Sequence, residues 1–454
     1  MRSANDVCGE DRRFDASLNS VLHMDKKDYP CYVGGLKVAS GNVHIVKSPV
    51  DTSIQFGKFQ ESDEDLPDIA VDAAKKVFRE WSKTERTGIF EKALETMRKQ
   101  RYRIAAAITL SAGMTRSDSL YEVDRLTEIT EDGIKKIREG VKGMPMGVFA
   151  VISEYNSPLA APMGYAVSAM LAGNTVVLIP PKECPFPVYM LYNILTSSGL
   201  PDGVLNVIFD RRGKAAKRLT ENGEIAGIAA AGRGDRFEDL MFAAVNEEIS
   251  FIGEFKGMNP LVIFKPASMR DAADMTINSA FRYAGQRMDS CSKVIVTIGE
   301  QKQFMDNLLA SAKKITVGDP SEKDTFAGPV ISEDSMQTFL DIVQNAKDNL
   351  IFGGKRISDG SGFYVMPAIF AGLPQDHELN EIDHSLPVLS VQLANDISEA
   401  IEMAAGCEYG SGIGIISKDE KVIDKFLSEA VCDTYVNISS GIAVKADVSG
   451  FLRK

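Results

Sequence analysis

Residues 147–180 read GVFAVISEYNSPLAAPMGYAVSAMLAGNTVVLIP, and their order is strand, helix, strand. GVFAVIS at 147–153 is an apolar run without polar alternation, which predicts a strand covered on both faces. PLAAPMGYAVSAMLAG at 158–173 has helical length and stops at Gly173, and NTVVLIP at 174–180 is the next strand. The alternation continues with PFPVYMLYNILTSSG as a helix halted by Gly199, VLNVIF as a strand and, after a short helix, IAGIAAAG as another strand. Strands alternating with helices predict a parallel sheet covered on both sides, a doubly wound domain of nucleotide-binding type.

Upstream, residues 1–30 are polar and read as an irregular N-terminal arm, followed by a short strand and turn at YVGG, 32–35. DIAVDAAKKVFREWSK, from Asp68, spaces Ile69, Val71, Ala74, Val77, Phe78 and Trp81 as one helical face. A second helix near 87–112 carries Phe90, Leu94 and Met97 and stops at Gly113, and a charged helix follows over 122–140. From Asn259 a second α/β unit begins: PLVIF, KVIVTI and strands near 363–370, 388–392 and 411–416, with helices at 271–285 and 301–314. Ser332 is placed to cap a further helix opened by Glu333 and Asp334, because a hydroxyl satisfies a free amide and early acids suit the helix dipole.

With 454 residues the chain is too long for one core, which predicts two domains. Its 51 basic and 63 acidic residues leave a net charge of −12, which argues against a nucleic-acid partner. The most apolar stretch, 148–178, is interrupted by Glu154, Asn156, Pro158 and Asn174, so no membrane span is expected. The N-terminus lacks an apolar signal core, and a cytoplasmic protein is the simplest expectation. Six cysteines without CxxC spacing and four dispersed histidines indicate neither a disulfide framework nor a metal site.

The order of motifs resembles the aldehyde dehydrogenase superfamily, and within it the 1-pyrroline-5-carboxylate dehydrogenase branch. The pieces are PMGVFAVISEYNSPL, MLAGNTVVLIPPKECPFP, GLPDGVLNVI, GEFKGMNPLVIF, GQRMDSCSKVIV, VGDPSEKDTFAGPVIS, GGK with GFYVMPAIF, and CEYGSGIGIIS, spread from Tyr32 to Asn437. The resemblance implies a Rossmann-type cofactor domain at 31–252, a catalytic α/β domain at 253–431 and a C-terminal tail at 432–454. It also implies NAD or NADP as cofactor and an aldehyde or related small metabolite as partner. In such enzymes a cysteine thiolate attacks the aldehyde, an asparagine amide helps hold the oxyanion, hydride passes to the cofactor, and a glutamate activates the water that hydrolyses the thioester.

Carried over residue by residue, Asn156 in SEYNSP matches the oxyanion asparagine, against a plainer reading as a turn residue that caps the following helix. Glu254 in GEFKGMNP matches the glutamate, against a reading as a solvated strand-end acid; Phe255, Lys256 and Met258 depart from the pattern around it. Met288 falls where the family's cysteine stands, and a thioether cannot become a thiolate. Cys291 matches a second cysteine of the pyrroline-carboxylate branch. It reads more simply as a small buried hydrophobe than as a rescue nucleophile.

The cofactor positions depart as well. Ile179 stands where a lysine contacts the adenosine ribose, with Lys182 nearby but out of register. AAGR keeps Gly232 but has Arg233 for serine, and Phe237 replaces a later glycine that lets the helix approach the pyrophosphate. DHSLP replaces the motif that grips the nicotinamide ribose: Asp383 keeps a carboxylate with shorter reach, or is an exposed loop acid, and Ser385 removes an aromatic contact. Finally, the short interval from Glu122 to Pro145 and the end of the chain at Lys454 imply reduced oligomerisation elements, hence a monomer or a dimer of atypical geometry. These departures favour a noncatalytic binding or regulatory relative. The alternative is an active NAD(P)-dependent dehydrogenase oxidising a semialdehyde such as glutamate semialdehyde, and nonredox chemistry at Cys291 is a third reading.

Overall fold

A computed structural model describes residues 4–453 apart from 26, 358–359, 408–411, 431 and 441–443, with side chains from residue 9 onward. Residues 408–411 of the CEYGSGIGIIS motif therefore lie outside the described residues. The chain divides into two compact units, one of Met1–Ala112, Arg116–Glu254 and Val444–Lys454, the other of Gly113–Thr115 and Phe255–Ala443.

The first unit holds the strands expected from the opening stretch. We number them β1 (Cys31–Val33), β2 (Leu36–Val38), β3 (Val148–Ser153), β4 (Thr175–Ile179), β5 (Leu205–Val207), β6 (Ile225–Arg233) and β7 (Ser250–Lys256), in sheet order β7-β6-β3-β4-β5-β1-β2. β6, β3, β4 and β5 run parallel. Every residue of β3 and β4 is buried, as an apolar run covered on both faces requires. The chain runs β3, β4, β5 and then returns to place β6 on the other side of β3. That reversal opens a crevice at the carboxyl ends of the strands.

The helices of this unit are α1 (Ala4–Leu22), α2 (Leu66–Trp81), α3 (Thr87–Lys99), α4 (Arg101–Ala112), α5 (Arg116–Arg138), α6 (Ala160–Leu171), α7 (Phe186–Ser197), α8 (Lys214–Thr220) and α9 (Gly234–Asn246). Gly173 follows α6 at φ +95°, a stop that a side chain would strain. Three expectations are corrected here. The supposed irregular arm is helical, because Phe14 and Val21 bury one face and Arg116 lies over the Phe14 ring while pairing with Asp15. The single helix near 87–112 is two, parted at Gln100. On α2 the buried face is Leu66, Ala70, Val71, Ala74 and Trp81, whereas Ile69 is exposed.

The C-terminal residues also differ from the expected separate tail. Leu452–Arg453 pairs antiparallel with Met144–Pro145, Asn174 Nδ2 donates to the Phe451 carbonyl at 2.8 Å, and the Phe451 ring meets Phe149 edge-on at 5.0 Å. Burial of these groups places Val444–Lys454 in the first unit.

The second unit is built on β8 (Leu261–Ile263), β9 (Lys293–Thr297), β10 (Leu350–Phe352), β11 (Ala368–Ala371), β12 (Val388–Ala394), β13 (Ile413–Ile416) and β14 (Thr434–Val436), in sheet order β10-β11-β12-β9-β8-β13-β14. All neighbours run parallel except β10 with β11. The helices α10 (Met269–Phe281), α11 (Gln301–Ala312) and α12 (Glu333–Asn345) cover it with others. Ser332 caps α12 as expected, its side chain accepting from the Ser335 amide. Among the described residues no helix is long and apolar enough to cross a membrane, and no group of three or more candidate ligands stands ready for a metal.

Candidate functional site

In the first unit Asn156 sits in the turn between β3 and α6 and is 2% exposed. The capping that a turn asparagine would supply comes from elsewhere. Glu122, reaching from α5, accepts the amides of Leu159 at 3.0 Å and Ala160 at 2.9 Å. It also accepts the Ser157 hydroxyl at 3.0 Å, and that hydroxyl takes the Ala161 amide. Burial raises the Glu122 pKa, and the two amides and the hydroxyl oppose the rise. The sequence reading missed this carboxylate because it lies within a charged helix where nothing local separates it from exposed acids such as Glu128 and Glu131.

Glu254, on β7, is half-buried and accepts the Lys445 amide at 2.7 Å. Burial raises its pKa, and the nearby phenol of Tyr165 is the largest influence in the opposite direction. A solvated strand-end acid would have no such shift. The folded chain thus holds this proton to higher pH than the unfolded chain, so the associated stability is fully present below the ordinary carboxylate value and is lost as pH rises through the raised one. Glu254→Gln, which mimics the protonated form, should match the wild type in urea unfolding at acid pH and gain on it as pH rises. A difference that is flat with pH, or largest in acid, contradicts this.

The crevice at the reversal of β3 and β6 encloses about 710 Å³ and is lined by Ile179, Lys182, Glu154, Arg236 and Phe237 among others. Gly232 has φ +158°, and a Cβ there would come within 2.6 Å of the Phe237 ring and 2.7 Å of a Glu154 oxygen. The space above the glycine is therefore filled by this chain itself. Glu154 Oε2 accepts the Arg233 amide at 3.0 Å, and Glu154 Oε1 accepts from Arg236 at 2.7 Å. A carboxylate already stands at the start of α9, where a helix would attract a phosphate. The Arg233 guanidinium is turned to Asp235, with Nε to Oδ1 at 3.0 Å. Lys182 is about half exposed and lies 3.9 Å from Glu183, and Ile179 is buried at the end of β4.

In the second unit α10 runs into a turn where Tyr283, Ala284 and Gly285 have φ of 51°, 50° and 68°. Gln286, fully buried, fixes that turn by donating to the Tyr283 carbonyl at 3.0 Å and accepting the Ile331 amide at 2.8 Å. Asn259 Nδ2 then donates to the carbonyls of Met288 at 2.9 Å and Ser290 at 3.0 Å. Met288 is 7% exposed. Cys291 belongs to the apolar core with Leu261, Val294 and Tyr435, and its thiol donates to the Lys293 carbonyl at 3.1 Å. Burial pushes that thiol up to about 12, which leaves almost no thiolate near neutral pH.

Asp383 is not an exposed loop acid. Its Oδ1 pairs with Lys256 Nζ at 2.6 Å, with side-chain exposures of 3% and 0%, and also accepts the Ser292 hydroxyl. Its Oδ2 takes the Ser385 amide at 3.0 Å, and Ser385 is itself buried at φ +53°. The lysine read from sequence only as a departure beside Glu254 is thus the partner of a carboxylate 127 positions away. A lysine at the end of a mostly apolar strand was the available signal, since a buried cation requires an acid. The Asp383 carboxylate is fully engaged by this chain, Glu154 stands at the phosphate end, and Phe237 fills the approach. Within the first unit, Glu154 and Phe237 do not fit a pyrophosphate in the manner the family resemblance implies.

The geometry and the wider comparisons converge on one lineage. The aldehyde dehydrogenase family matches residues 38–451, and the chain belongs to that family. It is similar to the 2,5-dioxopentanoate dehydrogenase of Saccharolobus solfataricus, with 30% identity over 438 residues covering 91% of each chain. It is also similar to the 1-pyrroline-5-carboxylate dehydrogenase of Geobacillus sp. (strain WCH70), at 26% identity over 92% of this chain and 86% of that one. A solved 1-pyrroline-5-carboxylate dehydrogenase from Thermus with bound NAD shares the fold, with a TM-score of 0.91 at 22% identity over 97% of this chain and 94% of that one.

Proposed function

We propose that this member of the aldehyde dehydrogenase family lacks thiol-dependent aldehyde oxidation and acts as a binding or regulatory relative of the 1-pyrroline-5-carboxylate dehydrogenases. In this reading Asn156 and Glu254 keep the oxyanion and general-base positions, and Met288 occupies that of the nucleophile. Ile179, Gly232, Arg233, Asp383 and Ser385 are the altered cofactor positions. The protein works in the cytoplasm as a monomer or a dimer of atypical geometry. The observation that carries the proposal is the buried Lys256–Asp383 pair, which commits the carboxylate proposed to hold the nicotinamide ribose to a structural partner. Rescue through Cys291 is disfavoured by its burial and raised pKa.

A second reading, an active NAD(P)-dependent dehydrogenase of a semialdehyde, draws on Glu254, whose raised pKa suits a general base. Titration with NAD and NADP separates the two, followed by a reduction assay with glutamate semialdehyde and 2,5-dioxopentanoate. The expected result is no saturable binding at cofactor concentrations of about 1 mM, the upper end of ordinary enzyme KM values, and no NADH or NADPH production. Met288→Cys alone should restore little turnover, because Phe237, Glu154 and the Lys256–Asp383 pair remain. Substrate-dependent reduction by the wild type sinks the proposal, and robust recovery in Met288→Cys shows that the cofactor positions still function.

A further inference from the structure

A second cavity, of about 730 Å³, lies in the first unit away from the crevice just described. Tyr29, Tyr32, Phe186 and Tyr189 are among its lining residues. Tyr29 meets Phe186 edge-on at 5.8 Å and Tyr189 at 5.5 Å, and Tyr32 meets Tyr189 at 5.8 Å. Behind them Phe59 stacks on Tyr29 at 4.6 Å and meets Tyr189 at 5.2 Å. The walls are braced by packing and need little rearrangement to receive a planar ring.

Two buried polar atoms on lining residues have no hydrogen-bond partner among the described residues: the Tyr189 hydroxyl, on a residue with no exposure, and Gln60 Oε1, on one 9% exposed. Buried groups of this kind are normally satisfied, by protein, water or ligand. A hydroxyl suits this pair, since it accepts from the tyrosine and donates to the amide oxygen, and it serves equally if the amide is turned over. At the exposed rim, Arg103 forms no ion pair among the described residues; burial raises the Tyr29 pKa to about 12, and the charge of Arg103 acts in the opposite direction. Lys27 and Lys37 also line the cavity, against Asp25 and Asp28, so the cations outnumber the carboxylates there.

We infer that this cavity is a binding site for a phenolic acid: a hydroxylated aromatic ring seated among Tyr29, Tyr32, Phe186 and Tyr189, its hydroxyl on Tyr189 and Gln60 and its acidic group toward Arg103. Nothing in the site depends on the crevice or on Met288, so it stands apart from the proposed function.

The test is calorimetric or NMR titration of the full chain with 3-(4-hydroxyphenyl)propanoate, beside 3-phenylpropanoate and tyramine. The hydroxylated acid is expected to bind with a Kd below about 1 mM. Removing its hydroxyl or replacing the acid with an amine should each weaken binding about tenfold, the size of one good polar contact. Tyr189→Phe removes only the unpartnered hydroxyl and should erase the preference for the hydroxylated ring. Arg103→Ala, at an exposed position, should erase the preference for acid over amine. The inference is overturned by absence of saturable binding, which would leave the cavity to water, by preference for tyramine, which would assign the rim to the aspartates, or by binding that neither variant alters.

Discussion

Lys256→Ala should destabilise the protein by about 3–5 kcal/mol, the range found when one partner of a buried ion pair is removed. The lysine and Asp383 are 0% and 3% exposed, and their 2.6 Å contact is backed by Ser292 and Ser385 on the remaining carboxylate lone pairs. Taking away the cation leaves a desolvated carboxylate with only neutral donors. The cost arises from the orphaned charge more than from the lost attraction. The double change Lys256→Met with Asp383→Leu removes both charges and should recover most of the loss, because replacing a buried pair with apolar groups is often neutral or stabilising. Urea unfolding of the wild type and both variants reads this directly. A single variant that loses less than about 1 kcal/mol would mean the pair behaves as an exposed one does.

Glu122→Ala is expected to produce the next largest effect, about 2–4 kcal/mol, from orphaning the Leu159 and Ala160 amides at about 1–3 kcal/mol each, less the relief of a buried acid. The effect should also be local. Amide hydrogen exchange over 157–161 should accelerate in the variant more than exchange in β4, because the carboxylate organises the start of α6 and not the sheet. Glu122→Gln keeps one acceptor and should fall between the two. Uniform acceleration across the unit, or none, contradicts the assignment of Glu122 as the cap. Since Asn156 occupies the same turn, the variant also separates that residue's placement from its chemistry.

The fold was legible because its signals are local. The apolar runs of β3 and β4, the helix between them and the Gly173 stop can be read within a few dozen residues, and so can the Ser332 cap. The candidate site was legible only through resemblance, which singled out Asn156, Glu254 and Met288 by neighbouring motifs. What periodicity could not reach were pairings across long stretches of chain: Lys256 with Asp383, Glu154 with Arg236, and Glu122 with the start of α6. Each joins a charge to a partner whose burial appears only after folding. The helical N-terminus escaped for the opposite reason. Phe14 and Val21 are too few to outweigh the polar residues around them, yet they suffice once α4 and Arg116 are there to receive them.

The turn before Met288 leaves one more consequence. Tyr283 and Ala284 both adopt left-handed backbone angles that ordinary residues avoid at a cost of about 1–2 kcal/mol each. That shape is locked by Gln286, while Asn259 holds the carbonyls of Met288 and Ser290. The main chain on both sides of residue 288 is thus braced by the side chains of other residues, which makes that position an address for a selenol or a spectroscopic label on a loop already shaped.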